Sequence, residues 1–318
     1  MVLFRRVVVG GIVKMRNWEI ADKSRAHYGF IVTKPLQLMV VLALIPQLEK
    51  DCSEDFLVVD NFAGAKSVYE ELAGRAGGNC RVYYFSDESD AYEFALAQKY
   101  QKLFVDSDVG FRKNATLVKM AVLSPLTVLA VYEEGLGSYR TDLYEGARKQ
   151  FLQMMGCGVF FGGNWRTKEI YLFEPQSCTT PIKAQKIKIL KTLSELLSQE
   201  WDFLCSIFGA DEFVESIRPS GSSSKECVIY LTSWTIEEQR IAGLCANGKK
   251  VIVKPHPHIK KTGFLSLRSD LSLAPASIPA EIVIMSASRT FERVTVLHHG
   301  SSVDRYLDIP NVDFERVH

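Results

Sequence analysis

Short, uninterrupted apolar runs separated by charged, helix-length stretches are what most narrows the folds open to this chain. FLVVDNF (Phe56–Phe62), RVYYFSD (Arg81–Asp87), KLFVDSD (Lys102–Asp108) and LTVLAVYEEG (Leu126–Gly135) are four such runs in the first half. Continuous apolar runs that alternate with helices are what a parallel sheet produces when helices cover both its faces. Ahead of them, FIVTKPLQLMVVLALI (Phe30–Ile45) reads as a strand, a Thr-Lys-Pro turn with Pro35 at the first helical position, and a helix. Lys34 excludes an uninterrupted membrane span here.

After Arg140 the texture changes. CGVFFGGNWR (Cys157–Arg166) and EIYLFEP (Glu169–Pro175) read as irregular or short-strand structure, and a long amphipathic helix is expected over Lys183–Phe208. The segment RPSGSSSKE (Arg218–Glu226) is a polar loop. Alternation then resumes with a strand at CVIYLTSW, a helix through Glu237 to Cys245, and strands at KKVIVKPHPH, EIVIMSA and RVTVLHHGSS. The 318 residues suffice for two domains of roughly 150 each. The expected organisation is an N-terminal appendage over 1–26, a Rossmann-like domain over 27–155, and a second Rossmann-like domain with its linker helix over 156–318. The fold class is α/β, with the two domains facing each other across a cleft.

Composition removes several function classes. The net charge is +1 with a pI near 7.6, so no global field favours nucleic acid, and no aromatic and basic RNA-binding signature is present. The seven cysteines are scattered and never in C-x-x-C spacing, which opposes a disulfide framework and a zinc site and fits a reducing cytoplasm. The opening MVLFRRVVVGGIVKMRNWE is cut by Lys14 and Arg16 too soon for a secretory signal or a span. Lys183, Lys186, Lys188 and Lys191 mark either a solvated basic face or one for a membrane surface or acidic partner.

In parallel sheets, ligand-binding groups collect beyond the carboxyl ends of strands. Three polar clusters fall there: Glu133-Glu134-Gly135, Lys254-Pro255-His256-Pro257-His258, and Gly300-Ser301-Ser302. The two glutamates would suit a helix N-terminus, where acids complement the dipole and Ser138 or Thr141 caps, or a general base facing a ligand. Prolines 255 and 257 would shape a loop with exposed histidines, or His256 would point at a phosphate with Lys254 adding positive potential. Ser302 serves as an N-cap, and the Gly-Ser-Ser turn also offers amides and hydroxyls to an anion. Asp106-Ser107-Asp108 forms a D-x-D, read either as a pair of turn aspartates or as a holder of a divalent metal on a nucleotide diphosphate.

An acidic-acidic-Gly motif, a later His-Pro and a later Ser-Ser, in that order, resemble the bacterial sialyltransferases of the lipooligosaccharide and capsule type, with the related polysialyltransferases. The strand and turn at Phe30–Ile45 is similar to that family's first strand, and the resemblance spans residues 28 to 307. It implies a GT-B fold with CMP bound mainly by the second domain. The donor would be CMP-sialic acid and the acceptor a galactose-type terminus of a bacterial surface glycan, with inversion at the anomeric carbon and no cofactor or essential metal. Glu133 matches the base that deprotonates the acceptor, with Glu134 as a second candidate. His256 of His256-Pro257 matches the histidine that contacts the CMP phosphate, and Ser301 and Ser302 match the phosphate-binding serines. Both acids are glutamates where the family frequently has aspartate. The implied location is cytoplasmic, with peripheral contact to the inner membrane. CMP-Kdo or UDP-hexose donors, a metal-dependent transferase using Asp106 and Asp108, and a non-catalytic assembly subunit are the rival readings.

Overall fold

The computed structural model describes residues 26–49, 51–218, 225–246, 248–256, 259 and 271–317. Contacts divide the chain into two compact units. The first runs to Asn61 and resumes over Tyr69–Leu190; the second takes Phe62–Val68 and the chain from Lys191 onward.

The first unit is built on a seven-stranded sheet of β1 (His27–Val32), β2 (Ser53–Val59), β3 (Cys80–Phe85), β4 (Lys102–Val105), β5 (Val128–Tyr132), β6 (Thr167–Leu172) and β7 (Gln185–Lys188). All neighbours are parallel and the order is β3-β2-β1-β4-β5-β6-β7. Parallel pairing needs crossovers, and helices supply them: α1 (Pro35–Leu44), α2 (Ala65–Arg75), α3 (Glu88–Gln98) and α4 (Phe111–Leu123), with α5 (Gly146–Met154) before β6. Pro35 opens α1 at its first turn, and the Asp87 carboxylate caps α3 through the Ser89 amide. All six residues of β1 are buried, and Phe30 stacks on Phe104 with ring centroids 4.7 Å apart. Each such side chain contributes about 1.5–3 kcal/mol by leaving water.

At the amino edge of this sheet a buried carboxylate ties three strands together. Asp55 on β2 accepts from Arg81 of β3 at 2.8 and 2.9 Å and from the Tyr100 hydroxyl at 2.8 Å, and lies 3.0 Å from His27 Nε2 of β1. Chain order reverses at β1, which opens a crevice between the carboxyl ends of β1 and β4.

The second unit repeats the plan with β8 (Glu226–Leu231), β9 (Lys250–Lys254), β10 (Leu271–Leu273), β11 (Arg293–His298) and β12 (Val312–Arg316), all parallel, in the order β10-β9-β8-β11-β12. Here the reversal lies between β8 and β11. Helices α6 (Leu193–Gln199), α7 (Trp201–Phe208) and α8 (Asp211–Ser216) precede the sheet. Interleaved with its strands are α9 (Glu238–Cys245), α10 (Ala280–Thr290) and α11 (Val303–Tyr306).

Three expectations change. The division falls at Leu190/Lys191 and not at 155/156, because β6 and β7 extend the first sheet. Lys183–Phe208 is not one helix: the alternation Gln185-Lys186-Ile187-Lys188 forms an edge strand, and Thr192 with Glu195 builds a capping box that starts α6 afresh. The lysines of that segment therefore do not share one helical face. Finally, EIVIMSA is α10 rather than a strand. It follows Pro279 and is buried from Glu281 through Ala287, and a helix covered all round carries the continuous apolar run of an inner strand. Residues 1–25 lie outside the described residues.

Candidate functional site

At the crevice of the first sheet, Thr33 follows β1, Gln37 lies in α1 and Asp106 follows β4. Gln37 Oε1 accepts from the Thr33 amide at 2.7 Å, and Gln37 Nε2 donates to Asp106 at 3.0 Å. The Thr33 hydroxyl has one proton and two acceptors in reach, Gln37 at 2.9 Å and Asp106 at 3.1 Å. Lys113 of α4 pairs with Asp106 at 3.4 Å and with Glu88. Burial alone would lower its pKa, but Tyr92, Asp106 and Glu88 around it raise it and keep the ammonium charged.

One strand further out, β5 delivers the two glutamates into unlike surroundings. Glu133 is fully buried; its Oε2 accepts from the Tyr139 hydroxyl at 2.6 Å and from the Phe173 amide at 2.7 Å, fastening the chain after β6 to the end of β5. Glu134 reaches the surface with its side chain 18% exposed, and its Oε1 pairs with Lys34, the residue that leads into α1. The Glu134 amide donates to Ser138 Oγ at 2.8 Å, so Ser138 caps this turn from within. Gly135 takes φ +116°, which lets the backbone reverse at the strand end. At Gly137 a Cβ would stand 3.1 Å from Glu134 Oε2, so this glycine makes room for the carboxylate.

The two D-x-D aspartates do not converge. Asp106 faces Thr33, Gln37 and Lys113, whereas the buried Asp108 accepts from the amides of Gly162 and Asn164 at 3.0 and 2.9 Å and from Thr167 Oγ1 at 2.6 Å. Asp108 thus organises the loop before β6. Burial pushes its pKa up, against those three donors. Among the described residues no group of three or more His, Cys, Asp and Glu is placed to hold a metal ion.

In the second unit the carboxyl edge gathers the other two motifs. His256 follows β9; its amide donates to Thr232 Oγ1 at 2.9 Å, and its ring lies over Trp234 with centroids 4.6 Å apart. Thr232 and Trp234 follow β8, beside the order reversal, and no local pattern marked them. Pro257 and His258 lie outside the described residues. Lys254 is buried with its Nζ turned to the carbonyls of Pro255 and Ala276, both at 3.3 Å, so its ammonium braces the loop instead of facing a ligand.

Beyond β11, Gly300 adopts φ +80° and the chain turns into Ser301 and Ser302, both half-buried. The Ser301 amide donates to His298 Nδ1 at 3.1 Å, which leaves the proton of a neutral imidazole on Nε2. Burial lowers the His298 pKa and favours that neutral form, with Asp304 opposing. Ser302 precedes α11 without making a side-chain cap, leaving the expected N-cap bond unformed. Arg316, at the end of β12, brings its guanidinium to within 3.5 Å of where a Gly300 Cβ would be, a cation that sequence inspection passed over.

Neither a protein-family model nor a curated protein sequence matches the chain. Among solved structures, UDP-GlcNAc 2-epimerase from Neisseria meningitidis bound to UDP-GlcNAc is similar with a TM-score of 0.52 at 12% identity, covering 86% of this chain and 77% of that one. The wall teichoic acid polymerase TagF gives 0.47 at 7% over 88% and 66% of the two chains. SnogD from Streptomyces nogalater gives 0.42 at 12% over 88% and 79%. With two parallel sheets, each reversing its strand order once, the fold is of the GT-B type, made of two Rossmann-like domains.

Proposed function

We propose that this chain is an inverting glycosyltransferase that moves sialic acid from CMP-sialic acid to a galactose-type terminus of a bacterial surface glycan. The observation that carries the reading is that the acidic pair, His256 and the two serines each lie beyond a strand's carboxyl end, in the order the sialyltransferase resemblance requires. The first unit would take the acceptor. Glu134, whose carboxylate reaches solvent, is the better base, and the fully buried Glu133 positions Tyr139 and the chain at Phe173. The second unit would take the nucleotide, with His256, Ser301 and Ser302 on the phosphate and Lys254 bracing the loop beneath.

In this scheme Glu134 accepts the proton of the acceptor hydroxyl as its oxygen bonds the anomeric carbon. The bond from that carbon to the CMP phosphate oxygen breaks, and the electron pair leaves with the phosphate. An oxocarbenium-like state with a departing phosphate asks for a base and an anion site, which these residues supply. A second reading rests on the Neisseria epimerase, whose related fold holds UDP-GlcNAc: the donor would then be a UDP sugar.

Calorimetry with CMP, UMP and UDP separates the two, and turnover of CMP-sialic acid tests the roles. Selective CMP binding is expected, with Glu134→Gln retaining it while turnover falls on the order of 100-fold or more. Glu133→Gln should lose less turnover and unfold earlier in urea, because its amide replaces only part of a buried carboxylate's bonding, at about 1–3 kcal/mol. Tighter binding of UDP, or unchanged turnover in Glu134→Gln, would overturn the assignment.

A further inference from the structure

The solvent side of the first unit carries an apolar surface that the proposed reaction does not use. Among the described residues, ten of the twelve large exposed hydrophobic side chains lie between Phe111 and Trp165. On α4, Asn114, Leu117 and Met120 face inward and are buried, while Phe111, Val118 and Val122, at helical spacing on the opposite side, are exposed. The turn after α4 presents Leu126 at 92% exposure, and the end of α5 presents Met154 at 77%. Such a stripe on the outer face of a helix is the reverse of what a water-facing helix needs.

These pieces form one neighbourhood. The Gly110 amide at the start of α4 donates to Gly158 just after α5, and Asn164 Nδ2 donates to Asn114 of α4 at 2.9 Å. Arg166 clasps the carbonyls of Ser124, Pro125 and Thr127 at the far end of α4. Trp165, half exposed, therefore stands between the end of α4 and the end of α5, its ring 3.6 Å from where a Gly156 Cβ would be.

The charge around this surface is predominantly basic, with the exposed Glu145 just before α5 and Glu93, paired with Lys119, as carboxylates beside it. Residues 111–126 and 146–168 contain seven Lys and Arg and no Asp or Glu, in a chain whose totals are 38 and 37. Lys113 is turned inward to Glu88 and Asp106, and Lys119 is paired with Glu93, but Arg112, Arg148 and Lys168 are exposed along the border. Aliphatic, Met and Trp side chains bordered by basic groups match the boundary of an anionic bilayer, where apolar tips enter the acyl region and cations meet the headgroups. A second copy of the chain across a twofold axis would bring two predominantly basic surfaces together.

We propose that the outward face of α4, its following turn and the end of α5 docks on a membrane surface rich in anionic phospholipid. The test is cosedimentation of the full chain with vesicles of phosphatidylcholine alone and of phosphatidylcholine mixed with phosphatidylglycerol. The expected result is binding to the anionic vesicles that weakens with salt. Val122→Ser/Leu126→Ser/Met154→Ser should reduce it on the order of tenfold, because three apolar tips no longer insert. Arg112→Glu/Lys168→Glu should reduce it by a similar factor and flatten the salt dependence. All five positions are solvent-facing, so both variants are expected to keep the wild-type circular dichroism spectrum; should the serine variant misfold, the charge variant decides alone. No binding to anionic vesicles, or binding equal in wild type and variants, overturns the proposal. So does a concentration-dependent dimer in sedimentation velocity that the serine variant abolishes, since a second copy would then be the occupant.

Discussion

Lys254 ends β9 with its ammonium buried, and that burial lowers its pKa from 10.5 to about 8, with Glu281 opposing the shift. The sign of the consequence follows from proton counts. Below about pH 8 the folded chain carries the buried charge and bears its full cost. Between about 8 and 10.5 the unfolded chain binds more protons than the folded one, so this residue makes stability rise with pH. Glu281 contributes with the opposite sign: burial raises its pKa from 4.5, so its share is present at low pH and is lost as pH rises through the folded value. Relative to Lys254→Met, the wild type should therefore gain about 3 kcal/mol between neutral pH and the unfolded lysine pKa, read as the difference between urea midpoints at each pH. A difference that stays flat across that window would mean the ammonium is solvated. Sequence position alone marks Lys254 as a phosphate ligand, since it stands at a strand's carboxyl end; the direction of its four-carbon stem, down to the carbonyls at 255 and 276, is set by a loop distant in sequence.

At the level of elements, Asp55 shows what holds the first sheet in register. Its carboxylate joins β1, β2 and β3 at their amino ends through His27 and Arg81 and reaches Tyr100, which leads into β4. Removing one partner of a buried ion pair leaves the other uncompensated, so Asp55→Ala should lose about 3–5 kcal/mol in urea unfolding, and Asp55→Asn less, because an amide oxygen still accepts. Equal midpoints for Asp55→Ala and wild type would assign the register to the apolar strands alone. Strand and helix identity was legible where the signal is local: Pro35 opening α1, and the continuous runs of β2, β4 and β5. It failed where burial erased the period, as in α10, whose apolar run reads as a strand. It failed also where lysines obscured an alternation, as in β7. The carboxyl-edge placement of Glu133, His256 and Ser301 was readable because strand ends can be seen in the sequence. The Thr33-Gln37-Asp106 cluster was not, because it spans residues 33 to 106 and depends on β1 and β4 being neighbours.

On the scale of the whole molecule, two sheets with the same reversal of strand order give one chain two crevices, and the proposed chemistry assigns them different ligands. The nucleotide should therefore act on one unit alone. Hydrogen exchange with and without CMP tests this directly, because amides that bind a ligand or lie beneath it open less often when it is present. Protection is expected after β8 at Thr232–Trp234, after β9 at Lys254 and His256, and after β11 at His299–Ser302, where backbone amides border the order reversal. The ends of β1, β4 and β5, including Lys34 and Glu133–Ser138, should exchange as in the free protein. At a CMP concentration about 100 times its Kd, the bound unit gains about 2.7 kcal/mol, which slows its most protected amides on the order of 100-fold. The reverse pattern, protection at Thr33, Asp106 and Glu134 with none at His256 and Ser301, would place the nucleotide on the first sheet. Glu134 would then lie among nucleotide contacts, and the division of donor and acceptor between the two units would have to be exchanged.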